Sequence, residues 1–107
     1  MAKNGRNEVE NIILQAIGHN ERRGIIRIIG ANPEGVIYSS ILGETVLNTG
    51  HLNYHLRNLG GLIEKRDDRT YRLTPIGYKA LELMNNLSNE IDSDVIQYVE
   101  TTRGIQD

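Results

Sequence analysis

Cysteine, phenylalanine and tryptophan are all absent from this sequence of 107 residues. Without cysteine the chain has no disulfide framework, no thiolate zinc ribbon and no thiol nucleophile. No apolar run approaches the roughly 20 residues that a membrane-spanning helix needs, and residues 1–20 lack the features of a signal peptide. We therefore expect a single cytoplasmic domain with no membrane partner, whose core consists of Ile, Leu, Val and five Tyr.

The charged residues are distributed unevenly along the chain. The whole sequence has a net charge of −2, but residues 49–72 contain five basic and three acidic side chains, a net +2. Residues 80–107 contain six acidic side chains and Arg103 as their one basic side chain, a net −5. Because local patches decide whether a protein binds a polyanion, the middle of the chain can bind nucleic acid and the C-terminal tail cannot.

Two amphipathic helices are expected near the N-terminus. An N-cap at Asn7 and apolar residues at helical spacing predict a first helix that ends near Ile17. Asn20 is expected to cap a second helix over residues 21–29, with Ile25 and Ile29 toward the core and Arg22 on the solvent side.

The middle of the chain has the spacing of a helix-turn-helix. Residues 36–38 are β-prone, and Ser39 or Ser40 is expected to cap a third helix that includes Val46 and ends near Leu47. A short turn follows, and a fourth helix then continues to a stop at residues 60–61. Its apolar face carries residues at i, i+3, i+4 and i+7, namely Leu52, His55, Leu56 and Leu59. Two short helices with a three-residue joint predict this motif.

A hairpin and two further helices complete the prediction. Residues 62–66 and 70–73 are β-prone and flank a polar turn, which is typical of a β-hairpin. Thr74 and Pro75 form an N-cap followed by proline at the first helical position, and we expect that helix to break at residues 88–90. Asp92 or Ser93 is expected to cap the last helix. This order of elements predicts a mainly α fold with a small β-hairpin, a winged helix-turn-helix in which the hairpin is the wing.

Three segments also match a known sequence pattern. Residues 49–59 are TGHLNYHLRNL, residues 61–65 are GLIEK and residues 71–77 are YRLTPIG. Together they resemble the archaeal winged helix-turn-helix transcriptional regulators of the ArsR-like group. The resemblance is dense over residues 49–77, looser over residues 7–48, and ends beyond about Leu87. It implies a homodimer that binds double-stranded DNA, with two recognition helices in successive major grooves.

The expected DNA-binding residues lie on the fourth helix and on the wing. If the three leucines of that helix face inward, its polar side chains lie on other faces, where arginine can read guanine and asparagine can read adenine. Basic residues of the wing commonly contact phosphates. The expected contacts are Thr49, Gly50, His51, Asn53, Tyr54, Arg57, Lys65, Arg66 and Arg69.

Each assignment has a plainer alternative. In this alternative the polar face of the fourth helix is a solvated surface without a ligand, and Asp67 and Asp68 serve the geometry of the turn. His51 and His55 are four residues apart, but two ligands make a poor metal site, so His55 is expected at the edge of the core, hydrogen-bonded to a neighbouring segment. Metal-sensing relatives use cysteine pairs, or Asp and His sets after the wing, and this chain lacks cysteine and has no histidine after His55.

The first and last helices carry apolar stripes beyond the winged core. We expect these stripes to form a dimer interface, because contiguous exposed apolar patches are rare on monomers; the alternative is that each helix folds back on its own core. The interface residues are Val9, Ile12, Ile13, Ile17, Ile91, Val95 and Val99. Within one domain of residues 1–107, residues 7–87 are then the winged helix-turn-helix and residues 91–103 the dimerisation helix.

The sequence predicts a DNA-binding regulator of transcription. The alternative is a winged-helix module that binds other proteins without reading DNA. No catalytic residue, metal or cofactor is expected, since the sequence contains no G-x-S-x-G, P-loop or glycine-rich phosphate fingerprint.

Overall fold

Helices make up most of the described chain. The computed structural model describes residues 2–104, with side chains from residue 5 onward. This part of the chain forms six α-helices and one three-stranded antiparallel sheet, in agreement with the predicted mainly α fold with a small hairpin. The elements are α1 (Ala2–Ile17), α2 (Asn20–Gly30), β1 (Val36–Ile37), α3 (Tyr38–Glu44), α4 (Thr49–Arg57), β2 (Ile63–Lys65), β3 (Thr70–Leu73), α5 (Pro75–Glu90) and α6 (Ser93–Arg103).

The sheet has the strand order β1-β3-β2. The predicted hairpin is confirmed, with Ile63 opposite Leu73 and Lys65 opposite Tyr71. The β-prone residues before α3 form a third strand, in which Val36 lies opposite Tyr71 on the other edge of β3. The short strand that precedes α3 is therefore joined directly to the hairpin.

Helix α2 is the central element of the fold. It packs against α1, α3, α4, α5 and β3. Its buried face consists of Ile25, Ile26 and Ile29, and burying each such side chain contributes roughly 1.5–3 kcal/mol. The other large side chains that are fully buried come from four further parts of the chain: Ile41, Leu52, Leu59, Leu62 and Met84. Helix α4 is thus fixed by its apolar face against α2.

The start of α5 is held against the backbone that follows α4. The predicted N-cap is confirmed, because the Thr74 hydroxyl accepts from the Gly77 amide at 3.1 Å and Pro75 occupies the first turn. The Thr74 amide donates to the Leu62 carbonyl at 2.9 Å, and its hydroxyl donates to the Gly61 carbonyl at 2.6 Å. Gly77 lies so close to the same Leu62 carbonyl that a Cβ at this position would overlap it.

The predicted starts of the first two helices are wrong. Helix α1 begins at Ala2, so Asn7 lies inside it; residues 2–6 include alanine, lysine and arginine, which favour helix. Helix α2 begins at Asn20 itself, and the N-cap is His19, whose carbonyl accepts from the Arg23 amide at 3.0 Å.

Both predicted ends of the third helix are also wrong. Helix α3 begins at Tyr38, directly after β1, so neither serine caps it. It ends at Glu44 rather than near Leu47, because the Thr45 hydroxyl donates to the Leu42 carbonyl at 3.1 Å and accepts from the Leu47 amide at 3.3 Å. These bonds form a turn in place of another helical turn, and they leave Val46 fully exposed.

Helix α6 follows α5 after two residues. Helix α5 continues through the predicted break to Glu90, and the Asp92 side chain caps α6 by accepting from the Val95 amide at 2.9 Å, as predicted. No residue of α6 is buried. Within residues 2–104, no helix has both the length and the apolarity that crossing a bilayer requires.

Candidate functional site

Helix α4 has one buried and one exposed face, as expected from its leucines. Leu52 is fully buried, Leu59 is fully buried just beyond the helix, and Leu56 packs partly against the core. The six residues of this helix that are expected to contact DNA are all exposed: Thr49, Gly50, His51, Asn53, Tyr54 and Arg57. The start of the helix is fixed by Asn48, whose side chain accepts from the His51 amide at 2.8 Å.

Tyr38 connects the exposed face of α4 to the hairpin. Its hydroxyl donates to Oδ1 of Asn53 at 2.8 Å, and its half-buried ring packs against the core. Tyr38 also lines a cleft of about 400 Å³ together with Ile37, Lys65 and Arg69. Tyr38 therefore contacts the exposed face of α4 and lines the same cleft as two of the expected wing cations. Sequence reasoning missed Tyr38, because its aromatic and β-prone character indicates packing and not a bond to a residue 15 positions away.

The tip of the hairpin is organised by Asp68. Its carboxylate accepts from the Thr70 amide at 3.0 Å and from the Thr70 hydroxyl at 2.6 Å. These hydrogen bonds hold the pKa of Asp68 below its ordinary value of 3.8, with a smaller contribution from Arg72. The alternative in which the acidic residues serve turn geometry is thus confirmed for Asp68.

The cations of the hairpin differ in their surroundings. Arg66 pairs with Glu64 at 3.2 Å and Arg72 pairs with Asp68 at 3.3 Å, and these are the two ion pairs within the described residues. The Lys65 ammonium lies 5.8 Å from the centre of the Tyr71 ring. Arg69 is exposed and has a φ of 68°, in the left-handed region that favours glycine. Lys65 and Arg69 are therefore better placed than Arg66 to meet an anionic ligand.

Arg22 is buried, which corrects the expectation that it points to solvent. It is 4% exposed, because its position falls on the same helical stripe as Ile25, Ile26 and Ile29. Its Nε donates to Nδ1 of His55 at 3.1 Å, and its Nη1 donates to the Gln15 carbonyl at 3.2 Å. The guanidinium also lies 5.7 Å from the centre of the Tyr54 ring. These contacts compensate its desolvation and join α2 to α4.

His55 is a hydrogen-bonded residue at the edge of the core, as predicted. Because Nδ1 accepts from Arg22, the imidazole is neutral, with its proton on Nε2. Burial lowers the pKa of His55 from its ordinary value of 6.5, and the charge of Arg22 lowers it further. His19 and His51 act in the same direction, whereas Glu21 opposes them. Within residues 2–104, no group of three His, Asp or Glu side chains could hold a metal ion.

Acid is expected to destabilise the protein through His55. The unfolded chain protonates this histidine at a higher pH than the folded chain does, so the free energy of unfolding falls as pH drops from about 6.5 toward the lowered pKa. His55→Gln keeps an acceptor for Arg22 but does not titrate, and it should flatten this part of the profile. Denaturant unfolding between pH 7 and pH 5 measures the effect.

The matched control for this experiment is His51→Gln, on the exposed side of the same helix. This variant should retain the acid dependence of the parent. Equal profiles for the parent and His55→Gln would show that the Arg22–His55 contact does not govern acid stability.

The residues expected at a dimer interface fall into two groups. Ile12, Ile13 and Ile17 of α1 are half-buried against the chain's own core, which is the intramolecular alternative for this helix, while Val9 is 38% exposed. At the other end, Ile91 is 47% exposed and Val95 is 43% exposed, and Val99 is half-buried. The C-terminal stripe of Ile91, Val95 and Val99 is therefore the more exposed of the two.

The comparisons with known proteins identify a family but no biochemical activity. No curated protein and no solved structure matches the chain. A family model described as a domain of unknown function, DUF7347, matches residues 11–84. The matched segment runs from within α1 to within α5, so it contains α4, the hairpin and Tyr38, and it excludes α6. Since the match spans more than half of the sequence, the chain belongs to the DUF7347 family.

Proposed function

We propose that this protein is a winged helix-turn-helix regulator of transcription that binds double-stranded DNA as a homodimer. In this proposal α3 and α4 are the helix-turn-helix, α4 is the recognition helix and the β2–β3 hairpin is the wing. The order of elements supports it, and so does the resemblance of residues 49–77 to the archaeal ArsR-like regulators. The proposal assigns no enzymatic activity, and it places the protein in the cytoplasm, where such a regulator acts.

One observation carries the proposal. Tyr38 is hydrogen-bonded to Asn53 of α4, and it lines the same cleft as Lys65 and Arg69 of the hairpin. A helix that enters the major groove and a wing that contacts the flanking backbone must face the same duplex. The contact of Tyr38 with α4 on one side and with the cleft of Lys65 and Arg69 on the other supports such an arrangement.

The charges of this surface suit the two kinds of DNA contact. Residues 49–72 carry a net +2 within a chain of net charge −2, so attraction to phosphates is local. Lys65, Arg66 and Arg69 would contact the backbone, which positions the protein without reading sequence. Arg57, exposed on the last turn of α4, would read a guanine through its two-pronged guanidinium.

The homodimer is proposed to form through α6. Its apolar residues Val95 and Val99 are four positions apart, with Ile91 just before the helix; its first turn is acidic and its last turn contains Arg103. If two copies of α6 pack antiparallel about a two-fold axis, the Asp94 end of each helix faces Arg103 of the other copy. This pairing covers both stripes and is compatible with recognition helices about 34 Å apart, one turn of DNA.

Salt dependence of duplex binding tests the proposal at Arg69. The parent should bind mixed-sequence duplex DNA with an affinity that falls steeply with salt, because phosphate contacts release counterions. Arg69→Gly should flatten the slope of log affinity against log salt by about 1 per lost contact. Glycine suits the φ of 68° at this position, so the turn should be retained and stabilised by about 1 kcal/mol. Fluorescence anisotropy at several salt concentrations gives both slopes.

Lys79→Ala is the control for lost charge, since Lys79 is exposed on α5 and its removal changes the net charge equally. It should leave the slope nearly unchanged. If the parent binds duplex DNA no more tightly than a charge-matched control protein does, the DNA proposal is overturned and the protein-interaction module is favoured. An unchanged slope in Arg69→Gly would show that the hairpin tip points away from DNA.

A further inference from the structure

Within the described residues, Arg22 is the one buried charged side chain, and neither ion pair of this part of the chain includes it. Its Nε and Nη1 donate to neutral acceptors, a ring nitrogen of His55 and the Gln15 carbonyl. Its Nη2 has no hydrogen-bond partner among residues 5–104. A guanidinium that has lost its water is ordinarily paired with an anion, because burying an unpaired charge is costly. Arg22 therefore retains a positive charge and one donor nitrogen for a ligand.

Arg22 lines a polar cleft of about 310 Å³ between α1, α2 and the end of α4. This volume is at the lower end of the range for small-ligand sites. The lining residues, none of which is acidic, are Leu14, Gln15, Gly18, His19, Arg22 and Asn58. The neighbouring Glu21 lines a different cleft, together with Glu44. The charge of Arg22 therefore has no counter-charge among the residues that line its cleft.

The N-terminus of α2 borders the same cleft. Its N-cap, His19, lines the cleft and forms no side-chain capping hydrogen bond. The first amides of an α-helix have no acceptor inside the helix, and they carry the positive end of the helix dipole. Helix starts of this kind bind phosphate groups through these amides. The uncapped start of an 11-residue helix and a buried guanidinium thus meet at one cleft.

We propose that this cleft, here called the Arg22 site, binds a phosphate group. Nη2 of Arg22 and the first amides of α2 are the donors, and the oxygens of a phosphate accept from several such donors at once. The phosphate belongs either to the DNA backbone or to a free phosphorylated compound. The first source rests on the proposed function, whereas the second does not. In both cases the site is linked to α4, because Nε of Arg22 donates to His55.

Phosphate titration followed by NMR of the histidine side chains tests the proposal. Inorganic phosphate is added to the full chain at neutral pH and compared with sodium chloride of equal ionic strength. The imidazole signals of His19 and His55 should shift and reach saturation, because His19 lines the cleft and His55 accepts from Arg22. His51 is exposed and does not line the cleft, so its signal should shift less.

Two variants connect this response to the Arg22 site. Gln15→Glu adds a carboxylate at the cleft and keeps the backbone carbonyl that accepts from Arg22. It should weaken phosphate binding by about tenfold or more, the loss of one charge-assisted hydrogen bond. Gln97→Glu, exposed on α6, changes the net charge equally and should bind phosphate as the parent does. Arg22→Met should abolish the response; if circular dichroism shows that this variant does not fold, Gln15→Glu still decides.

Duplex DNA identifies the source of the phosphate. If the Arg22 site binds the DNA backbone, duplex should shift the same two histidine signals, and Gln15→Glu should flatten the slope of log affinity against log salt by about 1 relative to Gln97→Glu. If it binds a free compound, inorganic phosphate should saturate the site while the two variants bind duplex with equal slopes.

The outcomes separate this inference from the proposed function. A parent that binds no duplex contradicts the proposed function but not the Arg22 site, which the phosphate titration tests separately. The Arg22 site is overturned if neither phosphate nor duplex shifts the signals of His19 and His55 beyond the effect of chloride. An equal phosphate response in the parent and in Gln15→Glu would overturn it as well.

Discussion

Replacing Gly77 with alanine is expected to lower the free energy of unfolding by about 3 kcal/mol or more, the upper range for overpacking. The added Cβ would overlap the Leu62 carbonyl oxygen and approach the Leu73 Cβ at 3.2 Å. The Leu62 carbonyl cannot easily move, because it accepts from the Thr74 amide at 2.9 Å and thereby fixes the start of α5. The clash is with backbone rather than with the end of a flexible side chain, so the helix itself must shift. Urea unfolding followed by circular dichroism measures the loss.

Gly24→Ala is the matched control for this clash. Gly24 also lies inside a helix, but a Cβ there would meet nothing within 4 Å. Alanine has a helix propensity about 1 kcal/mol better than glycine, so this variant should be more stable than the parent. Opposite signs for the two variants are the expected result. Similar effects of the two substitutions would show that the contact between α5 and residue 62 is loose enough to accommodate a Cβ.

Val95→Asp is expected to convert a dimeric parent into monomers that retain their helical content and lose most of their DNA affinity. Val95 is in the middle of the exposed stripe of Ile91, Val95 and Val99, and pairing two copies of α6 would place one aspartate against the other in an apolar contact. A monomer engages one half-site, so it forfeits the combined binding of two recognition helices. Sedimentation velocity at micromolar concentration and duplex binding at constant salt measure the two effects.

Gln97→Asp is the control, because it adds the same charge to α6 two residues away, on the opposite side of the helix from Val95. This variant should remain dimeric and bind DNA as the parent does. A parent that is monomeric at micromolar concentration would contradict the α6 interface. So would a Val95→Asp variant that stays dimeric.

Features set by neighbouring residues were predictable from the sequence. The Thr74 cap with Pro75, the Asp92 cap and the hairpin each depend on side chains within a few positions of one another, and all three are confirmed. The end of α3 was not predicted, although it too is local. Thr45 and Val46 are compatible with a helix. The hydrogen bonds of the Thr45 hydroxyl that end α3 stabilise the chain about as much as another helical turn would.

Arg22 shows that the polarity of a side chain can predict its burial wrongly. Its spacing from Ile25, Ile26 and Ile29 places it on the buried stripe, so periodicity alone would have predicted its burial. The charge of arginine nevertheless favours a position in solvent, because charged groups rarely lose their water without partners. Those partners, the Gln15 carbonyl and His55, come from other helices and could not be identified without the tertiary structure.

Only part of the candidate site could be predicted from the sequence, because some of its contacts join different elements of the fold. The exposed residues of α4 follow from its leucine spacing, and their exposure was predicted correctly. That Tyr38 reaches Asn53, and that Arg66 pairs with Glu64, depend on how α3 and the hairpin lie against α4. Sequence spacing identifies the faces of single elements, but it does not give the contacts between elements.

The pairing of β1 with β3 has a consequence for how the molecule folds. Helices α3 and α4 both lie in the stretch of chain that is closed where Ile37 meets Thr70. Closing a loop of this length costs on the order of 3 kcal/mol of chain entropy, and the pairing of a strand of two residues offsets little of this cost. The buried residues Ile41 and Leu52 must therefore dock on α2 for the loop to close. The surface that carries Asn53 and Arg69 is consequently acquired together with the core, in one cooperative step, and a fragment limited to residues 36–73 would not display it.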